Sequence, residues 1–315
     1  MGLHRLTSIT VGVPDVAATA AYYTEFGLLP VGPTNEQTAR FATRDGGEQL
    51  EIVPAPRRRL LRIGVGAHDA DDLGRVRSRL LKLDVAVQDV AGGLCALDPN
   101  SQLRVEVTIA PEVAQEPAAP MPMNGPGRPD RANRRAPGVE RENRVQPRKL
   151  GHLVIGSVDQ TATRRFFVEG LGFKISDEAP GLASFLRCST DHHNVLVQQA
   201  PLNFLHHTAW ELDDIDEVGR GATAMLEGHP ERHVWGLGRH HIGSNFFWYL
   251  RDPAGNFSEY YSDLDCIVSD ALWQPSVVEG ARGLYNWGPP PPPSFIQPDD
   301  LAGLMTGSHS PTTVR

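Results

Sequence analysis

Short apolar runs followed by amphipathic stretches recur along the chain, and the clearest pattern occurs twice. Residues 6–23 begin with an apolar run that predicts a strand and continue with the period of a helix. Residues 150–167 repeat this order. In each copy an aspartate, Asp15 or Asp159, stands where it can cap the helix, and an aromatic pair lies at the helix end. Glycines are expected to stop these helices, namely Gly27 in the first copy and Gly170 and Gly172 in the second.

Two further pairs of segments extend the repeat. Residues 62–80 resemble residues 207–225, and each reads as a strand, an acidic turn and an amphipathic helix. Residues 94–107 resemble residues 247–261, and each reads as a strand, an Asp-Pro turn and a strand. Each half therefore holds two units with the order βαβββ. The pattern predicts an α+β fold in which the paired units of each half form a curved mixed sheet around a site.

The repeats divide the 315-residue chain into two domains. Residues 1–110 form the first, and residues 148–265 form the second. Between them, residues 111–147 are rich in proline, glycine and charged side chains, which predicts a linker. Residues 266–315 form a tail whose aromatic side chains we expect to pack on the body of the protein.

Charge and cysteine usage narrow the classes of function. The formal net charge is −8 and there is no basic stripe, which argues against nucleic acid as a partner. Cys95, Cys188 and Cys266 lie far apart in no CxxC pattern, so we expect reduced thiols and a cytoplasmic location. The N-terminal residues lack the apolar core of a signal peptide, and no run of ~18 apolar residues predicts a membrane span.

Two histidines and a glutamate stand at matched places in the second half. His152 and His207 each begin a short apolar strand at the start of equivalent units, so a pseudo-symmetric sheet brings both imidazoles together. Glu259 lies on the strand after the Asp-Pro turn and can point inward by strand alternation. Two imidazoles and one carboxylate on one side of an ion suit non-haem Fe(II) and leave three positions open. These three residues are therefore the predicted metal ligands.

The first half provides an internal comparison. Its aligned positions are Ser8 for His152, about Arg62 for His207, and Val105 for Glu259, with Glu106 one position out of phase. None of the three aligned residues suits a metal in this arrangement. We therefore expect the first domain to be a copy of the second that binds no metal.

Three segments carry a family likeness, namely LGHLVI at 150–155, LHHTAWEL at 205–212, and GRHH at 238–241 followed by YLRDPAGNFSEYY at 249–261. In these, the chain resembles the type I extradiol dioxygenases of the vicinal oxygen chelate superfamily, such as catechol 2,3-dioxygenases and dihydroxybiphenyl dioxygenases. The likeness spans about residues 3–265. It implies that both atoms of O2 are inserted into a catechol-type ring. It also implies Fe(II), or Mn(II) on the same ligands, as the cofactor.

The resemblance also implies three residues around the open side of the metal. Tyr249 matches the family tyrosine that contacts a catechol oxygen, and His240 matches the histidine that hydrogen-bonds the substrate. His193 matches the histidine beside the O2 site. Neighbouring histidines leave two alternatives open, His192 for His193 and His241 for His240. The implied partners are a small aromatic diol and O2, and a homo-oligomer is expected.

Other activities use the same fold and stay open as alternatives. A glyoxalase-like isomerase or hydrolase shares the triad but does not need the set His193, His240 and Tyr249. A 2-oxo-acid oxygenase also shares the triad, and a non-enzymatic binding protein commonly lacks it. The expected pocket-lining aromatics are Phe185, Trp210, Phe247 and Trp248, and Arg187 or Arg239 is the candidate partner for a substrate carboxylate.

Overall fold

The computed structural model describes residues 2–277 and 284–304 and contains two eight-stranded mixed sheets. The first half contains β1 (Leu3–Val13), α1 (Val16–Glu25), β2 (Leu29–Pro30), β3 (Ala39–Thr43), β4 (Gly47–Pro54), β5 (Arg59–Ala67), α2 (Ala70–Lys82), β6 (Val87–Val90), β7 (Gly93–Leu97) and β8 (Arg104–Ile109). The connection to the second half contains the short helix α3 (Pro137–Glu140).

The second half repeats this order of elements. It contains β9 (Leu150–Ser157), α4 (Gln160–Arg165), a π-helical turn (Phe166–Leu171), β10 (Lys174–Ala179), β11 (Ala183–Arg187), β12 (Val195–Gln199), β13 (Phe204–Glu211), α5 (Ile215–Leu226), a 3₁₀ turn (Pro230–Arg232), β14 (His233–Arg239), β15 (Phe246–Arg251) and β16 (Phe257–Ser262). The tail adds α6 (Pro293–Ile296) and α7 (Leu301–Leu304).

Each sheet is built from two βαβββ units joined through their first strands. The strand orders are β2-β3-β4-β1-β5-β8-β7-β6 and β10-β11-β12-β9-β13-β16-β15-β14. The first strand of every unit pairs in parallel with the last strand of that unit, and the two first strands pair with each other in antiparallel orientation. The predicted α+β fold with paired units in each half is therefore confirmed.

Local signals explain the helix ends. The side chain of Asp15 accepts a hydrogen bond from the Ala18 amide at 2.8 Å, as the cap pattern predicts. Gly27 has φ +96°, which ends the first helix region as expected. Gly172, with φ +92°, ends the second helix region as expected, but the expectation that Gly170 also stops it was wrong, because Gly170 lies inside the π-helical turn. A Cβ at Gly170 would lie 2.9 Å from a methyl carbon of Leu80, so this glycine permits close packing against α2.

The two halves meet at the strand that carries Glu259. The rings of Phe26 and Tyr260 stack with centroids 3.9 Å apart, and the Tyr260 hydroxyl donates to the Phe26 carbonyl at 2.7 Å. The Tyr22 hydroxyl and the Ser258 hydroxyl hydrogen-bond at 2.6 Å. Residues on both sides of Glu259 are thus fixed by α1 and its C-terminal end. The first half therefore holds β16 in place.

The tail packs on the body of the protein, as its aromatic residues predict, and it contacts both halves. The Trp273 indole N–H donates to the Ser176 carbonyl at 2.8 Å. Further on, the buried ring of Phe295 joins an aromatic cluster, and Asp300 pairs with the buried Arg58. The predicted tail also includes 278–283 and 305–315, which lie outside the described residues. Within the described residues, the helices are too short or too polar to cross a membrane.

Candidate metal centre and ring-binding cavity

Three neighbouring strands bring the three predicted ligands together. His152 lies on β9, His207 on β13 and Glu259 on β16. Ala209 is the cross-strand partner of both His152 and Glu259, so these two side chains flank β13 at the same level. His207 lies two residues before Ala209 in regular register, so strand alternation places it on the same face as the other two ligands.

The ligand atoms converge in a buried position. His152 Nε2 lies 3.2 Å and His207 Nε2 lies 3.4 Å from the same carboxylate oxygen of Glu259, Oε2. One donor atom from each residue lies within 4.8 Å of the others, and all three residues are buried. Two imidazole nitrogens and a carboxylate oxygen form a donor set that suits a divalent transition metal, and the spacing allows one ion to contact all three.

The neighbours of Glu259 keep it charged. Burial raises the pKa of this carboxyl, but the hydrogen bond from His152 and the close approach of the His207 ring outweigh burial and hold its pKa well below the usual value. The other carboxylate oxygen accepts a hydrogen bond from the Asn245 amide at 3.0 Å. Asn245 therefore orients the carboxylate so that Oε2 faces the two imidazoles.

A second histidine fixes the tautomer of His207. His206 Nε2 lies 2.6 Å from the Phe295 carbonyl oxygen, which can only accept, so this nitrogen donates. His206 Nδ1 then accepts from His207 Nδ1 at 2.8 Å. His207 Nε2 is left with its lone pair toward Glu259, as metal binding requires. Burial, which is the larger cause, and the neighbouring His207 lower the pKa of His206 to about 3. This low pKa keeps the His206 ring neutral.

A cavity of about 80 Å³ opens beside the triad. Its lining consists of His152, Val154, Phe185, His193, Leu196, Gln198, His206, His207, His240, Ile242, Asn245, Tyr249, Leu284 and Phe295. No arginine or lysine is among these lining residues. The cavity is smaller than typical drug-sized sites of about 300–1,000 Å³, which favours a small, uncharged ligand. A larger depression of about 850 Å³ beside α5 contains none of the predicted site residues.

Of the two neighbouring histidines at 192 and 193, the second lines the cavity. The His193 ring centroid lies 4.1 Å from that of His152. Burial, followed by the nearby His152, lowers the pKa of His193 well below its ordinary value. His192 is completely buried behind it, and the two Nδ1 atoms lie 3.0 Å apart. The geometry therefore separates these alternatives, with His193 at the cavity.

His240 and Tyr249 form a second pair at the cavity. His240 Nδ1 donates to the Leu284 carbonyl, so its Nε2 accepts from the Tyr249 hydroxyl at 2.9 Å. Burial is the main reason that the pKa of His240 falls to about 4 and that the pKa of Tyr249 lies well above its ordinary value. His241 is exposed and is not among the cavity-lining residues.

Several predicted pocket residues serve other purposes. Arg187 pairs with Asp270, so it is not available to a substrate carboxylate in the cavity. Arg239 likewise pairs with Asp263 at 2.6 Å. The prediction for both arginines was wrong because acidic residues of the tail and of the loop after β16 neutralise them.

Among the four predicted aromatics, only Phe185 is a lining residue. Trp210 packs against Tyr23 and Phe26 of the first half instead. Trp248 contacts His233 on the neighbouring strand, and Phe247 stacks beneath His240 with centroids 4.1 Å apart. Strand alternation puts Trp210 and Trp248 on the face opposite the cavity, whereas Phe247 shares the face of Tyr249 and is covered by the His240 ring.

The sequence also missed residues that support the site. Asn245 and His206 orient the metal ligands, and Asp177 contacts His192. Leu284 and Phe295 contribute backbone carbonyls from the tail. The two pairs of adjacent histidines were the available signal for these residues. When both histidines of a pair are buried, the one that was not predicted as a site residue also needs a polar partner.

The equivalent place in the first half contains a partly buried cation. Strand register matches Ser8 to His152 and Arg62 to His207, as expected, but it matches Glu106 rather than Val105 to Glu259. The alignment to Val105 was therefore wrong by one position. Arg62 Nη1 lies 3.2 Å from Ser8 Oγ and 3.3 Å from Glu106 Oε2. In the first half a guanidinium thus stands where the second half has metal-binding donors.

The paired βαβββ units and the buried His-His-Glu triad define a protein of the vicinal oxygen chelate class. Comparison with known proteins agrees, since residues 149–260 match the model of the Glyoxalase/Bleomycin resistance protein/Dioxygenase superfamily. The chain is 30% identical over 304 residues to metapyrocatechase 2 of Cupriavidus necator, covering 94% of this chain and 92% of that protein. The chain therefore belongs to the extradiol dioxygenase family of this superfamily.

Two solved structures extend the comparison. The Mn(II)-bound glyoxalase from Novosphingobium aromaticivorans is 26% identical with a TM-score of 0.73, covering 92% of this chain and 93% of that chain. Homoprotocatechuate 2,3-dioxygenase from Arthrobacter globiformis has a TM-score of 0.73 at 16% identity, covering 94% of this chain and 91% of that chain. The second likeness concerns the fold alone.

Proposed function

We propose that this protein is an extradiol dioxygenase that opens the ring of a catechol and inserts both atoms of O2. One observation carries the proposal. His152 and His207 line the same small cavity as His193 and the hydrogen-bonded pair His240–Tyr249, and the buried Glu259 lies within reach of both triad histidines. Metal-binding donors, proton-transfer groups and an apolar wall therefore surround a space suited to one small aromatic ring.

The metal in this proposal is Fe(II), and Mn(II) suits the same donors. His152 Nε2, His207 Nε2 and a Glu259 oxygen would hold it. A divalent ion at this place supplies a positive charge that lowers the pKa of a bound phenol, and it allows electron exchange between a diol and O2. The hydrogen bonds of His206 and Asn245 keep the donor atoms of His207 and Glu259 directed at the ion.

Tyr249 and His240 are proposed to orient the diol. Because His240 Nε2 already accepts from the Tyr249 hydroxyl, the Tyr249 oxygen retains lone pairs for a substrate hydroxyl. The tail carbonyl of Leu284 holds the His240 ring in this tautomer. A catechol oxygen placed at Tyr249 therefore meets an acceptor of fixed orientation. Preorganised contacts of this kind reduce the cost of aligning a substrate for reaction.

His193 is proposed to be the acid–base group. Its low pKa keeps it neutral, so it can accept a proton from the diol and return it to the opened product. His193→Phe fills a similar volume without a transferable proton. We expect this variant to bind metal normally and to lose roughly 10²- to 10⁴-fold in kcat. Unchanged turnover in the variant would assign the proton transfer elsewhere.

Anaerobic reconstitution tests the proposal directly. The metal-free protein is loaded with Fe(II), or separately with Mn(II), and mixed with catechol, 3-methylcatechol, 4-methylcatechol and 2,3-dihydroxybiphenyl in air-saturated buffer. We expect one O2 consumed per ring opened and a yellow ring-opened product. Glu259→Gln is the matched control and should bind metal weakly. A metal-loaded protein that consumes no O2 with any of these diols contradicts the proposal.

A second candidate is a metal-dependent glyoxalase, favoured by the likeness to the Mn(II)-bound glyoxalase. An isomerase of that kind consumes no O2 and acts on a thiol adduct of a 2-oxoaldehyde. Incubation of the metal-loaded protein with methylglyoxal and glutathione measures it in the same apparatus. Turnover there, with none on catechols, would favour the second candidate.

We further propose that residues 148–265 form the catalytic domain and residues 1–110 a domain without metal, joined by the linker 111–147. The guanidinium of Arg62 at the equivalent place in the first half supports this assignment. We also propose a cytoplasmic homo-oligomer. The unpaired cysteines and the exposed apolar side chains of the tail support these two points. Sedimentation equilibrium, and metal analysis that finds one ion per chain, test the assembly and the domain assignment.

A further inference from the structure

A buried carboxylate and a buried histidine stand in line behind His193. His192 Nε2 lies 3.0 Å from Asp177 Oδ2, and His192 Nδ1 lies 3.0 Å from His193 Nδ1. Asp177 and His192 are 3% and 0% exposed, so water does not supply alternative partners. The arrangement is a continuous row of three side chains that ends at the cavity.

The local fold aims Asp177 inward. It lies on β10, where a register shift in the pairing with β11 falls between Ile175 and Asp177. Such an irregularity re-aims a side chain, and here it buries both Ser176 and Asp177. Phe185 and the tail residue Trp273 pack against the His192 ring with centroids 5.8 Å and 5.4 Å away. These rings enclose the row.

With both imidazole rings neutral, the hydrogen bonds have one consistent direction. A carboxylate accepts, so His192 Nε2 donates to Asp177 and His192 Nδ1 accepts. His193 Nδ1 must then donate to His192, which leaves His193 Nε2 with a lone pair. This is the nitrogen of the ring that remains for the cavity. The tautomer of His193 is therefore set by a residue two positions along the row.

We propose that Asp177 and His192 are positioning residues that hold His193 in one orientation and one tautomer, with its Nε2 lone pair directed at the substrate. This inference rests on the proposed dioxygenase function, because the role of His193 comes from that function. Neither Asp177 nor His192 is among the residues that line the cavity, so both act through His193. Positioning partners of this kind are typically worth 10- to 100-fold in activity.

A single substitution is expected to reverse the direction of the hydrogen bonds along the row. Asp177 Oδ1 accepts a hydrogen bond from the Ser276 amide at 2.5 Å. In Asp177→Asn the amide oxygen must stay at that place, so the NH2 group faces His192 Nε2. His192 Nε2 must then accept and His192 Nδ1 donate, which forces His193 to carry its proton on Nε2. The three side chains keep their positions, and only the direction of the hydrogen bonds between them changes.

Three variants and a control separate positioning from packing. Asp177→Asn and His192→Phe should lower kcat roughly 10- to 100-fold, with Fe(II) affinity and the KM for catechol changed less than about threefold. His192→Gln retains one donor and one acceptor and should recover most of the loss. Ser176→Ala removes a neighbouring buried hydroxyl that contacts Arg187, and it should leave kcat unchanged. Equal kcat losses in His192→Gln and His192→Phe, or losses that follow only the melting temperature, would overturn the proposal.

A readout independent of turnover uses ¹⁵N-labelled, metal-free protein. Long-range ¹H–¹⁵N spectra, assigned with the His193→Gln variant, report which ring nitrogen carries the proton. We expect Nδ1–H for His193 in the parent and Nε2–H in Asp177→Asn. An unchanged tautomer in Asp177→Asn refutes the positioning role whatever the activity. If Asp177→Asn reverses the His193 tautomer but the parent protein consumes no O2 with catechols, the positioning role stands and the dioxygenase function is refuted.

Discussion

The hydrogen bonds behind His207 predict that His206 controls metal affinity. In His206→Leu, the His207 Nδ1 donor and the Phe295 carbonyl both lose their partner in a buried site. Each buried polar group left unpaired costs about 1–3 kcal/mol. Part of that cost is relieved if the His207 ring turns, so that its Nε2 no longer faces Glu259, or if it changes tautomer, so that Nε2 carries a proton and has no lone pair for a metal. Loss of such a partner usually weakens metal binding about 10- to 100-fold, or about 1.4–2.7 kcal/mol.

The assay is anaerobic competition for Fe(II) between the protein and a coloured chelator. We expect the dissociation constant to rise about 10- to 100-fold in His206→Leu. In His206→Gln, which retains a donor and an acceptor, it should rise by less than about threefold. An affinity that His206→Leu does not change would refute the reasoning. So would an equal loss in both variants, because packing alone would then explain it.

Three further predictions concern the cavity, the tail and pH. The cavity-lining residues include no cation, and burying an unpaired carboxylate costs several kcal/mol. The kcat/KM for 3,4-dihydroxyphenylacetate should therefore be at least ~100-fold lower than that for 4-methylcatechol. Similar kcat/KM values for the two substrates would contradict this. Asp300→Asn leaves the buried Arg58 without its anion and should lower the free energy of unfolding in urea by about 1–3 kcal/mol, a modest loss because Asp300 is itself half-exposed. In the control Asp299→Asn the lost contact with Arg251 is exposed, so the loss should be less than about 0.5 kcal/mol. Equal losses in the two variants would contradict the assignment. In the metal-free protein, the pKa of His206 is about 3 and that of His240 about 4, so below pH ~6.5 the unfolded chain binds protons that the fold does not. Stability should therefore fall on acidification by up to about 1.4 kcal/mol per pH unit for each histidine, and a urea midpoint that is the same at pH 7 and pH 5 would contradict this.

Repetition made the fold readable from the sequence. The aspartate caps, helices and Asp-Pro turns recur in register, so the four units and the two domains followed without any knowledge of contacts. The triad followed for the same reason, because His152 and His207 occupy matching positions on equivalent strands. Glu259 needed only strand alternation, since the strand after the turn is short and regular.

Register and backbone partners were beyond the reach of the sequence. The first-half position equivalent to Glu259 was assigned one residue early, and a slip of one residue moves a side chain to the other face of a sheet. The carbonyls of Leu284 and Phe295 have no sequence signature, because every residue has one. Asp177 points inward through an irregularity in β10 that its sequence does not announce. These contacts depend on how distant segments pack, which local patterns do not encode.

The central claim is that His152, His207 and Glu259 bind one divalent ion on one side. A crystal structure of the protein loaded anaerobically with Fe(II), with anomalous diffraction collected above and below the iron edge, measures this directly. The account predicts one iron peak per chain, at coordination distance from His152 Nε2, His207 Nε2 and a Glu259 oxygen, with open positions toward His193 and Tyr249. An iron peak elsewhere, or a triad without iron in crystals of the loaded protein, would contradict it.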